Sequence, residues 1–207
     1  MSRTDRMVVL AFVHTLEVVM DAVDSTWSLV KFSPSDVHRV WRFLQDVPAE
    51  ENGFLHPEAG VGLDEFLGRV APQWEAEARG EDLAAGHVPQ TNFFLWENYD
   101  SPAKKVVARL KLRHELTDTL ERNGGHVGYF VHRDYRGRGV GVTALRLLLP
   151  IAAQLVAEDE LLATMDPDNV ASQRMFAACG GEYIDRDGER VRMRIDLRPW
   201  QRDREVR

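Results

Sequence analysis

Residues 126–165 constrain the fold more than any other stretch, because they read as strand, glycine-rich turn, long helix and strand in direct succession. His126 to His132 is an apolar segment, and a helix is expected from about Gly139 to Ala157. There Val142, Leu145, Leu149, Ala152 and Val156 recur at steps of three and four residues, the mark of one buried stripe. Pro150 removes one internal hydrogen bond from that helix. Glu160 to Met165 is the next strand. Two strands joined through a crossover helix lie parallel, whereas hairpins are antiparallel.

The flanking chain supplies hairpins and short helices. Trp27 to Phe32 reads as a strand, and Ser33-Pro34-Ser35-Asp36 starts a helix that runs to Asp46. Leu63, Phe66, Leu67, Val70 and Trp74 mark a second helix, with Pro72 expected to kink it. Asn92 to Glu97 and Val106 to Leu112 form a hairpin, the second arm alternating apolar residues with Arg109, Lys111 and Arg113. A polar link covers 115–125. Asn169 caps a short helix that ends at Gly180-Gly181, and a closing hairpin turns at Asp187-Gly188. The fold class is therefore α/β in the α+β sense, a mixed and mostly antiparallel sheet flanked by helices. The expected organisation is an extension at 1–26, one domain at 27–197 and a polar tail at 198–207.

Composition narrows the function. At 207 residues and 44% hydrophobic content, the chain can bury its own core without disulfides. Cys179 is its one cysteine, which excludes a disulfide scaffold and a thiolate zinc cluster and fits a reducing cytoplasm. Lys and Arg number 26 against 33 Asp and Glu, a net charge of −7 that argues against nucleic acid and anionic membrane as partners. The longest wholly apolar runs, Met7 to Val13 and Leu147 to Ala153, are far below the ~20 residues of a membrane span. Arg3 and Arg6 before an apolar stretch imitate a signal peptide, but His14, Glu17 and Asp21 interrupt it. Residues 7–20 are expected instead to be a packing helix or strand, with a homodimer contact as one use. Between 45 and 90, ten acids stand against two bases, which suggests either a field that gathers small cations or solvated helix faces.

The segment Val131 to Gly141 carries the chemistry. A glycine-rich strand-to-helix turn aims several unpaired backbone amides at one point, and the helix dipole adds to them, so the turn suits phosphate. A Walker loop needs Lys and Ser or Thr after its final Gly, but Val142-Thr143 follow Gly141; a dinucleotide fingerprint from Gly137 needs Gly at 142. Both fail. The plain alternative is a tight turn whose glycines only permit close helix packing.

A second segment, Asp168 to Gly181, joins the first in resembling the GCN5-related N-acetyltransferase (GNAT) superfamily. Arg136, Gly139 and Gly141 match its loop, and Asn169, Ser172 and Phe176 match its following helix. The stretch from Leu112 through Tyr129 is also similar to a bacterial subgroup of predicted acetyltransferases. The resemblance implies a sheet with its parallel fourth and fifth strands splayed. It implies acetyl-CoA as donor substrate and no metal. Tyr129, Phe130 and Val131 would pair with the pantetheine arm, and Arg136, Gly137, Arg138, Gly139, Val140 and Gly141 would hold the pyrophosphate. Asn169, Ser172 and Phe176 would lie beside the arm or sulfur. The base and acid candidates are Glu115, His126 and Ser172, with His114 as a further base; for each histidine and for Glu115 the alternative is a structural or surface residue. Where the family often has Tyr, Phe176 has no proton to give. The expected function is N-acetyl transfer to a small cationic primary amine, with a noncatalytic acyl-CoA sensor and a peptide or protein N-acetyltransferase as alternatives.

Overall fold

A computed structural model describes residues 8–12, 15–19, 26–187 and 189–201. Of the expected extension, β1 (Val8–Phe12) and β2 (Thr15–Val19) form an antiparallel backbone pair, and apart from Thr26 the rest lies outside the described residues. The chain continues through β3 (Trp27–Lys31), α1 (Val37–Gln45) and a small hairpin of β4 (Glu50–Glu51) and β5 (Phe54–Leu55). Next come α2 (Leu63–Glu65), a π turn (Phe66–Val70) and α3 (Ala71–Arg79). The long hairpin is β6 (Gln90–Glu97) and β7 (Lys105–Arg113), followed by α4 (Asp118–Arg122), β8 (Val127–Val131) and α5 (Val140–Leu155). The last elements are β9 (Glu160–Met165), α6 (Val170–Ala178), β10 (Glu182–Asp187), β11 (Arg190–Asp196) and α7 (Arg198–Gln201).

Besides the β1-β2 and β4-β5 pairs, two larger sheets are ordered β3-β6-β7-β8 and β10-β11-β9, and every ladder within them is antiparallel. β8 and β9 share no ladder. At the start of β8 the His126 amide donates to the Leu162 carbonyl (2.8 Å), and the 16-residue α5 makes the crossover between these splayed neighbours. Apolar residues of β6 point alternately to two cores. Phe93 and Leu95 join the α5 side with Leu110 and Leu148, while Phe94 and Trp96 join the α1 and α3 side with Phe43 and Trp74. At roughly 1.5–3 kcal/mol for each large apolar side chain taken from water, this double burial fixes β6 and β7 at the centre.

Three expectations change. Pro72 sits at the start of α3, and the π turn before it carries the Ala71 amide to the Phe66 carbonyl, so a widened turn accommodates the ring that would otherwise clash with residue 68. The polar link holds α4, which Thr117 caps by accepting from the Leu120 amide. The tail opens with α7, whose Trp200 packs on the α5 core.

Candidate functional site

Among the described residues the splay leaves one edge of β8 without a strand ladder. His132 donates its amide to the Val107 carbonyl (2.9 Å), and Arg113 donates to the His126 carbonyl (2.7 Å). In an antiparallel ladder, alternate residues turn their backbone groups to opposite sides. Gly128, Phe130 and His132 therefore serve β7, while Val127, Tyr129 and Val131 face the gap. This corrects the expectation for Phe130, whose backbone is taken up by the ladder. Its ring lies between Phe43 and His56, under the Arg136 guanidinium at 5.3 Å.

The turn after β8 places the start of α5 beside that edge. Gly137 and Gly139 take left-handed φ angles of 72° and 78°. A Cβ on Gly139 would meet nothing within 4 Å, so its backbone conformation, not crowding, calls for glycine. Gly141 is the opposite case: a Cβ there would lie 2.8 Å from Met175 Sδ, so its bareness lets α5 pack on α6. No side chain caps α5, leaving its first amides directed outward from the positive end of the helix. Val140 buries its side chain and offers only its amide, and Arg138 is exposed. Arg136 departs from expectation. Its guanidinium chelates Glu51 (2.8 and 2.6 Å) and donates to the Val131 carbonyl (2.9 Å), which ties the β4–β5 hairpin to the loop.

Across the gap, Asn169 Oδ1 accepts from the Ser172 amide (3.1 Å) and caps α6. Phe176 is 0% exposed in the α5 core, which corrects its placement beside a ligand: a ring without a hydroxyl has no polar group to keep at the slot. An apolar slot lined by Ala108, Leu110, Tyr129, Val131, Gly141 and Met175 runs between β8 and these helices. Among the described residues the Tyr129 hydroxyl is buried there without a hydrogen-bond partner. Burial pushes its pKa up to about 12, and the Ser172 side chain pulls the other way.

The catalytic candidates are not gathered. His126 is 1% exposed; its Nδ1 accepts from the Leu162 amide (2.9 Å) and its Nε2 bonds Glu158 (3.0 Å). With one nitrogen accepting and the other carrying the proton toward Glu158, it braces the splay and has no free base position. Burial lowers its pKa. Glu115 is exposed beyond the end of β7, at the opposite end of β8 from the glycine turn. His114 bonds Thr91 (2.9 Å). Ser172 alone of the catalytic candidates adjoins the slot.

Sequence alternation also suggests an exposed Arg109, which is instead 0% exposed and held by Glu58 and Asn92. The α3 helix and the β4–β5 hairpin cover the face that alternation assigns to solvent, and Phe54 lies directly over Gly128. Lys111, paired with Gly128 in the ladder, is pushed down to about 8, first by burial and then by Arg109. Beside the glycine turn opens a cleft of about 430 Å³ lined by Gln45, Asp46, Pro48, Glu51, Arg133 and Arg136. Its acids are paired, Asp46 with Arg133 (2.9 Å) and Glu51 with Arg136. Glu58, Glu65 and Glu81 also face guanidinium groups, so half of the ten acids between 45 and 90 are balanced locally.

Residues 27–182 match the family profile described as "Acetyltransferase (GNAT) domain". No curated protein matches the chain. Among solved structures, a ribosomal-protein-S5-alanine acetyltransferase from Vibrio fischeri is 14% identical, with 86% of this chain and 97% of that one covered and a TM-score of 0.59. RimL, a ribosomal L7/L12 alpha-N-protein acetyltransferase in complex with coenzyme A, is 15% identical over 84% of this chain and 94% of that one, with a TM-score of 0.59. RimJ of Mycobacterium smegmatis, in complex with a CoA disulfide, is 18% identical over 84% and 83%, with a TM-score of 0.56. At these identities the likeness is one of fold.

Proposed function

The chain belongs to the GNAT family of acetyltransferases, and from that premise we propose that it moves an acetyl group from acetyl-CoA to a primary amine, in first place a small cationic one. The observation that carries this reading is the meeting of an unpaired strand edge with an uncapped glycine turn. Gly137, Arg138, Gly139, Val140 and Gly141 would hold the pyrophosphate through their amides. Tyr129 and Val131 would receive the pantetheine arm as an added strand, with Asn169 and Ser172 alongside. The residues fit such a ligand: the space where a Gly139 Cβ would project is open, and the slot carries one orphaned hydroxyl.

When bound, acetyl-CoA supplies the activated acyl carbon. The residues around it position and dry the reaction. The His126 brace ties β8 to β9 at one end of the splay, and Phe54 over Gly128 closes one face of β8. An amide of the free edge is suitably directed to donate to an oxyanion. The acceptor must arrive without its proton, since an ordinary primary amine has a pKa near ~10.

The test is CoA release measured with panels of polyamines, aminoglycosides, amino acids and peptides. Small cations should react best, and kcat/KM should fall as salt rises, because the acids without a cationic partner on the 45–90 segment act across water. A salt-insensitive rate or a preference for peptide N-termini would move the acceptor to the protein class. No release with any amine would remove the reading.

A further inference from the structure

We propose that the Tyr129 hydroxyl is the acid that delivers a proton to the departing sulfur of the donor. The inference rests on the reading above, that acetyl-CoA lies along the free edge of β8. Tyr129 stands on that edge, and among the described residues its hydroxyl is buried with no hydrogen-bond partner inside the slot lined by Val131, Gly141 and Met175. A buried hydroxyl left unpaired is unfavourable by itself, and such exceptions call for an explanation. Across the slot, Phe176 is sealed in the core and has no proton to give. Ser172 is the neighbouring side chain that acts on the Tyr129 hydroxyl.

As the amine nitrogen bonds to the acyl carbon, the carbon–sulfur bond breaks and sulfur keeps its electron pair. Tyr129 passes its proton to that sulfur, and the proton shed by the amine restores the phenol, so the enzyme ends unchanged. Burial keeps the phenol protonated at rest, and the same desolvation in the slot makes a free thiolate harder to form.

The experiment compares the native protein with Tyr129→Phe. Calorimetry with CoA and with desulfo-CoA reads the sulfur contact without turnover. The native protein should bind CoA roughly two- to tenfold more tightly than desulfo-CoA, the worth of one hydrogen bond. The variant should bind both alike, with desulfo-CoA affinity unchanged. Its kcat should fall about a hundredfold, the scale of a lost general acid, with KM for acetyl-CoA held. Removal of an unpaired hydroxyl should not lower its melting temperature. If the variant matches the native protein in kcat and in its CoA to desulfo-CoA ratio, the acid role of Tyr129 is overturned while the donor reading stands. Loss of desulfo-CoA affinity in the variant also overturns it, in favour of a packing role. A native protein that binds neither compound overturns the donor reading itself.

Discussion

Glu58→Ala should destabilise the fold by about 3–5 kcal/mol, because it leaves a buried guanidinium without its counter-charge. Arg109 is 0% exposed, and Glu58 accepts from it at 2.8 and 3.1 Å. Asn92 Oδ1 takes two more of its donors, and Trp74 lies 4.7 Å under the guanidinium carbon while donating its indole N–H to Glu58. Burial alone would raise the Glu58 pKa, but Arg109 outweighs it and the carboxyl titrates below its ordinary 4.5. Native Glu58 thus stabilises the fold above about pH 4.5, and that contribution is lost as pH falls through its depressed folded value. His56 adds to the same slope. Burial, then Arg109, lowers its pKa from 6.5 to about 4, so between those values the unfolded chain binds a proton that the folded ring refuses. Stability should decline on acidification through that window. Urea titrations of native protein and Glu58→Ala across pH 4 to 7 test both statements. A Glu58→Ala midpoint within error of native would mean that Arg109 finds water or another partner. The paired replacement Arg109→Met with Glu58→Leu should recover most of the loss, since removing both charges leaves neither stranded.

Gly139→Val should weaken CoA binding at least about tenfold, since each lost charge-assisted hydrogen bond is worth about 1.5–3 kcal/mol. The cause is conformational. Valine resists the φ of 78° that Gly139 holds, so the turn must relax and its amides lose their common aim. Among the described residues nothing lies within 4 Å of the new Cβ, which also projects into the space that the phosphates would use. Gly86→Val is the control, having a φ of 80°, equal open space and a position in a distant segment of the chain. Both variants should lose comparable stability, but only Gly139→Val should lose affinity by calorimetry. A folded Gly139→Val protein with native CoA affinity would sink the phosphate assignment.

Much of this architecture is legible in local sequence. The apolar stripe from Val142 to Val156, the glycine turn before it and the strand after it specify a crossover, because each rests on periodicity and backbone freedom within a few residues. The resemblance at Arg136 to Gly141 and Asn169 to Phe176 names the family for the same reason: each motif lies within a few consecutive residues. Alternation fails at Arg109. Its neighbours in sequence describe a half-exposed strand, and only the packing of α3 and the β4–β5 hairpin over that face turns a surface cation into a buried one.

The catalytic assignments divide along the same line. Residue type marks His126 as a base, but tertiary hydrogen bonds to Leu162 and Glu158 make it a brace. Arg136 fits the family loop, yet Glu51, 85 positions away, takes up its charge. Whether Tyr129, Phe130 and Val131 offer their backbones to a ligand depends on ladder register, which distant β7 sets. By itself the sequence determined most of the elements, the glycine turn and the family, all encoded over short range. Tertiary structure decided which polar groups remain free to act, because hydrogen-bond satisfaction and desolvation depend on partners that the chain brings together only when folded.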